Sequence, residues 1–249
     1  MTGIHQHAPS GNRATPAARW RVGWTVASYL VVQSLVLGAA AVPVALAAEV
    51  VGPHLPTATW MRVVACAIGL LPTYFVFATG LVVASAGAAR MFGWRTVAGL
   101  RMPVREFGWP LMDWARGAML THVVRVLVAI PMRVGPLWPW FMRLNGAQLG
   151  RRVWVNSINI ADHHLLTFGD DVVIGSDVHL SGHTVEGGVV RTGTVRVGNR
   201  VTIGAGSMVN IDVEVGDDAR IGALSYVPKG SRLAGATTWV GAPVQAVRR

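Results

Sequence analysis

The sequence has little charge, one cysteine and one lysine. Charged residues make up 14% of its 249 positions, and hydrophobic residues make up 52%. Soluble globular domains carry about 25% charged residues, so this composition argues against an ordinary soluble protein and predicts membrane segments. A single cysteine excludes an internal disulfide. Cys66 lies in an apolar run and is predicted to be a small buried hydrophobe, not a nucleophile.

The net charge of +10 does not indicate a nucleic-acid-binding protein. No helix-turn-helix, zinc-finger or single-strand-binding signature accompanies the charge, so we predict no nucleic-acid partner. Many of the arginines lie beside long apolar runs, where each basic residue is attracted to anionic lipid by about 1 kcal/mol. The charge therefore predicts membrane lipid as a partner.

Two uncharged runs, residues 22–48 and 63–89, are long enough to cross a bilayer. Each has 27 residues, which extend about 40 Å as a helix, and the hydrocarbon core needs about 30 Å. Pro43 and Pro72 would kink such helices without preventing insertion. A cleaved signal peptide is the alternative for the first run, but its apolar region has only about 7 to 15 residues. The sequence thus predicts two transmembrane helices within residues 22–89.

The arginines predict which side of the membrane the flanking segments face. They precede the first run and follow the second: Arg13, Arg19 and Arg21, then Arg90, Arg95, Arg101 and Arg105. The positive-inside rule places both flanks in the cytoplasm. We therefore predict a disordered cytoplasmic N-terminus over residues 1–21, a location in the bacterial inner membrane, and a cytoplasmic position for everything after the second run.

Residues 90–148 have an interrupted apolar pattern. Arg125 and Arg133 break the apolar runs, and Trp138 and Trp140 lie close together. Tryptophan beside arginine is typical of the lipid headgroup layer. We predict an interfacial amphipathic helical region here, with a re-entrant pair or a buried helix of the following domain as alternatives.

From residue 149 onward, an apolar residue recurs at every sixth position in two groups. These anchor residues are Phe168, Ile174 and Leu180, then Val197, Ile203, Val209, Val215, Ile221, Val227 and Leu233. Such a fixed short period predicts a stacked β-solenoid in which three six-residue sides close one coil. Small residues, often glycine, follow most anchors, and we predict that they turn the corners because glycine and asparagine tolerate positive φ.

The period fails between Leu180 and Val197. The interval is 17 residues, one fewer than three repeats, so this segment must partly leave the solenoid. It contains the sequence "SGHTVEGG", in which His183, Thr184 and Glu186 precede two glycines. We predict an extruded loop at this place.

These repeats resemble the left-handed β-helix acyltransferases, the hexapeptide-repeat family. The segments "LGRRVWVNS", "LLTFGDDVVIG", "DVEVGDDARIGALSYVPKG" and "WVGAPV" are similar to the membrane-embedded branch at the carboxyl end of polylysine-synthetase-type peptide synthetases. The resemblance covers residues 149–243 and extends more weakly through "FGWPLMDW". It implies a left-handed parallel β-helix over 149–243. Together with the two apolar runs, this predicts an N-terminal α-helical membrane region followed by the β-helix, with a basic tail over residues 244–249.

The resemblance also implies an activity and an assembly. Family members are homotrimers that transfer an acyl group at sites between neighbouring β-helices. The implied donor is an acyl-CoA, foremost acetyl-CoA, or a carrier-bound thioester, and the implied acceptor is a hydroxyl or an amine. Proximity to the membrane favours an amphiphilic or carrier-bound acceptor. Two alternatives stay open: a catalytically silent trimeric scaffold for a membrane complex, and a ligase that forms peptide bonds on carrier-bound amino acids.

The resemblance makes His183 the general base, since a family histidine beside such a loop removes the acceptor's proton. An ordinary imidazole pKa of about 6.5 suits this work. Glu186 is predicted to orient the imidazole, as carboxylates do in hydrolytic triads, or else to be a solvated loop charge. His163 and His164 are alternative bases. No metal is predicted, because His163, His179 and His183 have no recognised ligand spacing.

The donor is expected to bind basic and aromatic residues near the end of the chain. Cationic side chains could hold the coenzyme A phosphates, and an indole could cover the pantetheine, although closing the end of the β-helix is the alternative for that tryptophan. The predicted donor-binding residues are Lys229, Arg232, Trp239, Gly222 and Ser225, with Arg248 and Arg249 as further phosphate contacts.

Overall fold

The computed structural model describes residues 15–133 and 135–247. The predictions for residues 1–14, and for Arg248 and Arg249, lie outside this described part. Helical segments come first, and the remaining chain forms a parallel β-helix of about five turns. The predicted fold class is therefore confirmed.

Two long helices open the described chain. Helix α1 spans Pro16–Val51 and α2 spans Thr59–Met91, with a 3₁₀ turn at Gly52–His54 between them. Helix α1 begins six residues earlier than the predicted span, so residues 16–21 are helical and the predicted disorder is wrong there. The reason is local: the Thr15 hydroxyl accepts a hydrogen bond from the Ala18 amide, and proline suits the first helical position.

Helices α1 and α2 pack against each other and leave apolar outer faces. They approach so closely that a Cβ on Gly80 would lie 3.1 Å from Ala40 Cα. Both are long and apolar enough to cross a membrane, α1 together with the turn that follows it. Ile68 is 72% exposed, and Cys66 is exposed as well, so the prediction that Cys66 is buried is wrong. The buried residues of α2 all lie from Ala78 onward, so the first half of the helix, which contains Cys66, is the less covered half.

Residues 90–148 connect the long helices to the β-helix. They contain α3 (Trp109–Val124), a π-helical turn (Arg125–Ala129) and α4 (Leu137–Leu144). The Arg116 guanidinium donates hydrogen bonds to Ser28 Oγ of α1 and to Asp113, at 3.0 and 2.6 Å. Trp138 is fully buried and donates to the Ser157 carbonyl of the β-helix at 3.0 Å. Trp138 thus matches the buried-helix alternative, and the headgroup interpretation of this residue is wrong.

The solenoid strands, numbered in chain order, form three parallel faces. The first face stacks β2 (Gln148–Leu149), β5 (Leu166–Phe168), β10 (Val195–Val197), β13 (Val213–Val215) and β16 (Arg232–Leu233). The second stacks β3 (Trp154–Val155), β6 (Val173–Ile174), β11 (Thr202–Ile203), β14 (Arg220–Ile221) and β17 (Thr238–Gly241), closed by antiparallel β18 (Val244–Ala246). The third stacks β4 (Ile160–Ala161), β7 (His179–Ser181), β12 (Met208–Val209) and β15 (Tyr226–Val227). Strand β18 therefore begins where the basic tail was predicted.

The anchors fill the interior as the period predicted, but the corners work differently. Ile174, Ile203 and Ile221 are buried and stack in register across adjacent coils. Positive φ occurs three residues after an anchor, as at Asp171 and Asp218, and not directly after it. The glycines that follow anchors are required for space, because a Cβ on Gly204 would lie 2.4 Å from the Ala223 amide nitrogen of the next coil.

The break in the period is an extruded hairpin, as predicted. Strands β8 (His183–Glu186) and β9 (Val189–Thr192) pair antiparallel through a turn at Gly187 and Gly188, both with positive φ. Strand β9 also pairs with β1 (Arg101–Pro103), which precedes a 3₁₀ turn at Val104–Glu106. The hairpin therefore packs on its own chain through β1.

Candidate active site

His183 lies where the hairpin leaves the β-helix, at the first position of β8. Its Nδ1 is 2.5 Å from Asp162 Oδ2, and the two side chains are 24% and 7% exposed. The preceding Gly182 permits this approach, because a Cβ there would lie 2.7 Å from the Leu165 side chain and 3.0 Å from Asp162 Cβ. The close backbone approach at Gly182 thus brings the His183 imidazole into hydrogen-bond contact with a nearly buried carboxylate.

Asp162 receives a second hydrogen bond from helix α3. Trp114 Nε1–H donates to Asp162 Oδ1 at 3.1 Å, and the Trp114 ring meets the His183 ring edge-on, with centroids 4.9 Å apart. Burial by itself raises the pKa of the Asp162 carboxyl, but the hydrogen bonds from His183 and Trp114 outweigh it and hold the pKa below its ordinary value. Asp162 is therefore ionised, and its acceptor atoms fix the Nδ1–H tautomer of the neutral His183 imidazole, in which Nε2 has the free lone pair.

Glu186 does not have the predicted orienting role. Its carboxylate forms an ion pair with Lys229 and accepts a longer hydrogen bond from the Thr184 hydroxyl. It lies at the far end of β8, three positions from His183. Because alternate residues of a strand point to opposite faces, the two side chains are on opposite faces of β8. The orienting carboxylate is Asp162, which sequence reasoning missed.

The two alternative histidines have different surroundings. His163 is fully buried against Trp138 and Phe141, and its Nε2 donates to the Ile160 carbonyl. Burial lowers the pKa of His163 to about 4, so it is neutral and its ring is committed to the core. His164 faces the same cavity as His183, and burial also lowers its pKa. Both side chains line this cavity, but His163 is only 2% exposed, so His164 is the more accessible of the two.

A cavity of about 360 Å³ adjoins His183. It lies between helix α3, the segment after α2 and the first coil of the β-helix. The polar side chains that line it are Arg95, Thr96, Trp114, Thr121, His122, Arg125, Asn145, Asp162, His163, His164 and His183. This volume lies at the lower end of the range of about 300 to 1,000 Å³ that is typical of small-molecule sites. A compact molecule, or one end of a larger molecule, fits beside the imidazole.

The predicted donor-binding residues do not form one cluster. Lys229 pairs with Glu186 on the hairpin, whereas Arg232 lies on the first face, 3.9 Å from Glu214. Trp239 belongs to β17 and donates to the Ala234 carbonyl, as expected of a residue that closes the last coil. Ser225 is buried, and its hydroxyl accepts a hydrogen bond from the Gly241 amide within the β-helix. Gly222 lies at a corner, where a Cβ would contact Val240.

The structure describes no group of three or more histidine, cysteine, aspartate or glutamate side chains that could hold a metal ion, within residues 15–133 and 135–247. The cavity chemistry is instead that of an imidazole–carboxylate pair. Such a pair can remove a proton from a hydroxyl or an amine.

Sequence comparisons relate the chain to known proteins. No family model matches it. It is 29% identical over 121 residues to a delta-poly-L-ornithine synthetase from Acinetobacter baumannii (strain AB307-0294), which is 47% of this chain and 9% of that protein. It is 34% identical over 98 residues to a galactoside O-acetyltransferase from Escherichia coli (strain K12). This match covers 36% of this chain and 48% of that enzyme. It is 32% identical over 122 residues to a serine acetyltransferase from Mycobacterium tuberculosis (strain ATCC 25618 / H37Rv), and this match covers 47% of each chain.

These matches bear out the resemblance found in the repeats. The chain is similar to hexapeptide-repeat acyltransferases in sequence, and its fold is the β-helix expected of them. It spans about half the length of the two acetyltransferases and 9% of the synthetase.

Proposed function

We propose that this chain, which resembles the hexapeptide-repeat acyltransferases, moves an acyl group from a thioester to a hydroxyl or amine acceptor. The observation that supports this function best is the Asp162–His183 pair at the edge of a cavity. An imidazole whose Nδ1 faces a buried carboxylate presents Nε2 as a general base.

The proposed reaction uses His183 as base and then as acid. Nε2 takes the proton from the acceptor as its oxygen or nitrogen attacks the thioester carbonyl. The carbon–sulfur bond of the tetrahedral intermediate then breaks, and the imidazolium returns a proton to the departing thiolate. Asp162 stabilises the imidazolium between these steps, and the Trp114 hydrogen bond keeps the carboxylate in place.

The donor is proposed to be an acyl-CoA, with acetyl-CoA the first to test. Lys229, Arg232 and Trp239 remain candidates for its binding, although Lys229 would first have to leave Glu186. A homotrimer would bring a second β-helix beside these residues. Exposed apolar side chains on two solenoid faces, Trp154 and Met208 among them, support such an assembly.

The proposed location is the cytoplasmic face of a bacterial inner membrane. Helices α1 and α2 would cross the membrane, and the arginines after α2 would face the cytoplasm. Since Ala89 near the end of α2 lines the cavity, the site would lie close to the lipid surface. An acceptor that arrives along the membrane fits this position.

A ligase that forms peptide bonds on carrier-bound amino acids is a second candidate, favoured by the similarity to the delta-poly-L-ornithine synthetase. It uses the same base on an amine acceptor, so it differs from O-acylation only in the attacking atom.

The proposed function is tested with purified protein in detergent. Acetyl-CoA and a pool of hydroxyl and amine acceptors are added, thiol release is followed, and acceptor masses are measured. We expect thiol release that depends on an acceptor, which gains the mass of one acetyl group. No acceptor-dependent thiol release with acetyl-CoA, longer acyl-CoA thioesters or carrier-bound thioesters would support the silent-scaffold alternative instead.

A further inference from the structure

The cavity beside His183 has an unbalanced charge. Two guanidinium groups, those of Arg95 and Arg125, line it, and Asp162 is the one carboxylate among its lining residues. Asp162 already accepts hydrogen bonds from His183 and Trp114. The lining therefore offers no free carboxylate to either arginine.

Arg95 lies on the inner wall of this cavity. It follows α2 and donates through Nη2 to the Leu144 carbonyl at 2.9 Å, while its buried Nε has no hydrogen-bond partner. No described carboxylate forms an ion pair with it. Burial and the nearby Arg90 lower the pKa of Arg95, as expected for a guanidinium that lacks an anionic partner.

Arg125 lies on a more exposed part of the lining. Its Nη2 is 2.7 Å from His122 Nδ1, and no described carboxylate pairs with it either. Thr96 Oγ1 and His164 Nε2, which are 3.4 Å apart, also line the cavity and add hydrogen-bonding groups without negative charge. The cavity lining thus combines two cationic side chains with neutral polar groups.

A partly buried cation without a counter-charge is costly, and a bound anion removes that cost through short, charge-assisted hydrogen bonds. Arginine is also suited to carboxylates and phosphates, which its planar fork can bind with two hydrogen bonds. A cavity of about 360 Å³ that holds both an uncompensated guanidinium and a base has room for one small anionic molecule or headgroup.

We propose that the acceptor carries a carboxylate or phosphate group, and that Arg95 binds this anion while the acceptor's amine or hydroxyl faces Nε2 of His183. Arg125 assists at the more exposed edge. The role as acceptor rests on the proposed function, whereas the anion site itself does not.

The binding test uses molecules that cannot react, so it needs no turnover. N-acetylglycine and N-acetylglycinamide have nearly the same size, differ in one negative charge, and lack a free nucleophile; methyl phosphate serves as the phosphate probe. Each is titrated calorimetrically into the wild-type protein in detergent at low salt. We expect the carboxylate or the phosphate to bind at least about tenfold more tightly than the amide.

Two variants assign the preference to one residue. Arg95→Gln should abolish the preference for the anion, and Arg95→Lys should keep part of it because the charge remains. The matched control is Arg105→Gln, which removes the same charge from an exposed position outside the cavity lining and should keep the full preference.

Three results would overturn the proposal. The first is equal binding of the anion and the amide by the wild-type protein. The second is an undiminished preference for the anion in Arg95→Gln. The third is a loss of coenzyme A affinity in Arg95→Gln, which would show that the arginine binds the donor's phosphates. Since no acyl donor is present in the acceptor titrations, these outcomes are independent of the thiol-release assay.

Discussion

At the scale of single residues, Asp162 links two distant parts of the sequence. Its backbone has positive φ, which places the carboxylate between Trp114 of α3 and His183 of β8. Both partners donate hydrogen bonds to a carboxylate that is only 7% exposed. A charge-assisted hydrogen bond at such a site is stronger than its equivalent in water. The orientation of His183 therefore depends on the contact between the helical region and the β-helix.

His163 leads to a prediction about pH. Its pKa is about 4 in the folded protein and about 6.5 when unfolded, so below pH 6.5 the unfolded state binds the proton first and stability falls as pH falls. The titration of His163 should therefore lower the free energy of unfolding by about 2 kcal/mol between about pH 7.5 and about pH 5.

His163→Gln retains a hydrogen-bond donor and removes this titration. Thermal unfolding in detergent at the two pH values should show a smaller loss of stability for the variant than for the wild type. Equal losses would show that His163 is not a neutral, buried group in the folded protein. His54→Gln, at an exposed position between the two long helices, is the control and should behave like the wild type.

At the scale of elements, Gly182 positions the start of the hairpin against Asp162. Gly182→Ala would place a Cβ 2.7 Å from Leu165 and 3.0 Å from Asp162 Cβ, so β8 must shift and the Asp162–His183 hydrogen bond must lengthen. Since misplacement by about 1 Å can cost about 10²-fold in rate, we expect a loss of that order in thiol release with the β-helix intact by circular dichroism.

The control for this prediction is Gly188→Ala at the hairpin turn. No atom lies within 4 Å of the added Cβ, although the positive φ of 75° makes the turn less stable, by about 1 to 2 kcal/mol. Its activity should stay near that of the wild type. Equal activity losses in both variants would mean that the hairpin as a whole, and not the position of His183, was disturbed.

The elements marked by the six-residue anchor period or by a long uncharged run could be predicted from the sequence. The contacts between these elements could not. The anchors from Val197 to Leu233 repeat every six residues, so the coils and the hairpin at the lost period were predictable. The role of Asp162 was not, because its partners Trp114 and His183 are 48 and 21 residues away. The only signal was the motif "FGWPLMDW", which contains Trp114. The corner prediction failed because glycine can be required for space as well as for positive φ.

At the scale of the whole molecule, the orientation in the membrane is open to a direct test. If α1 and α2 cross the inner membrane, Thr57 in the loop between them faces the periplasm and Ser231 in the β-helix faces the cytoplasm. With Cys66 replaced, a cysteine at Thr57 should react with a membrane-impermeant maleimide in intact cells. A cysteine at Ser231 should react only after lysis, and the reverse pattern would contradict the proposed topology.

The proposed trimer is a separate prediction. Apolar side chains such as Met208 and Tyr226 are exposed on the third face of the β-helix, where a second copy could cover them. We expect mass photometry in detergent to give three chains per particle at micromolar concentration. Monomers alone would contradict the trimer, and the site formed within one chain by His183, Asp162 and Trp114 would then be expected to work without a neighbour.

The central claim is that His183 is the general base, and the most direct measurement is acceptor-dependent thiol release by His183→Ala at saturating donor. Loss of a general base costs about 10² to 10⁴-fold in rate. We predict a decrease in that range, with the size of the particle in detergent unchanged because His183 is not part of the solenoid interior. His164→Ala, which removes the other cavity histidine, should keep most of the activity. A His183→Ala protein that forms normal particles and releases thiol at the wild-type rate would contradict the assignment.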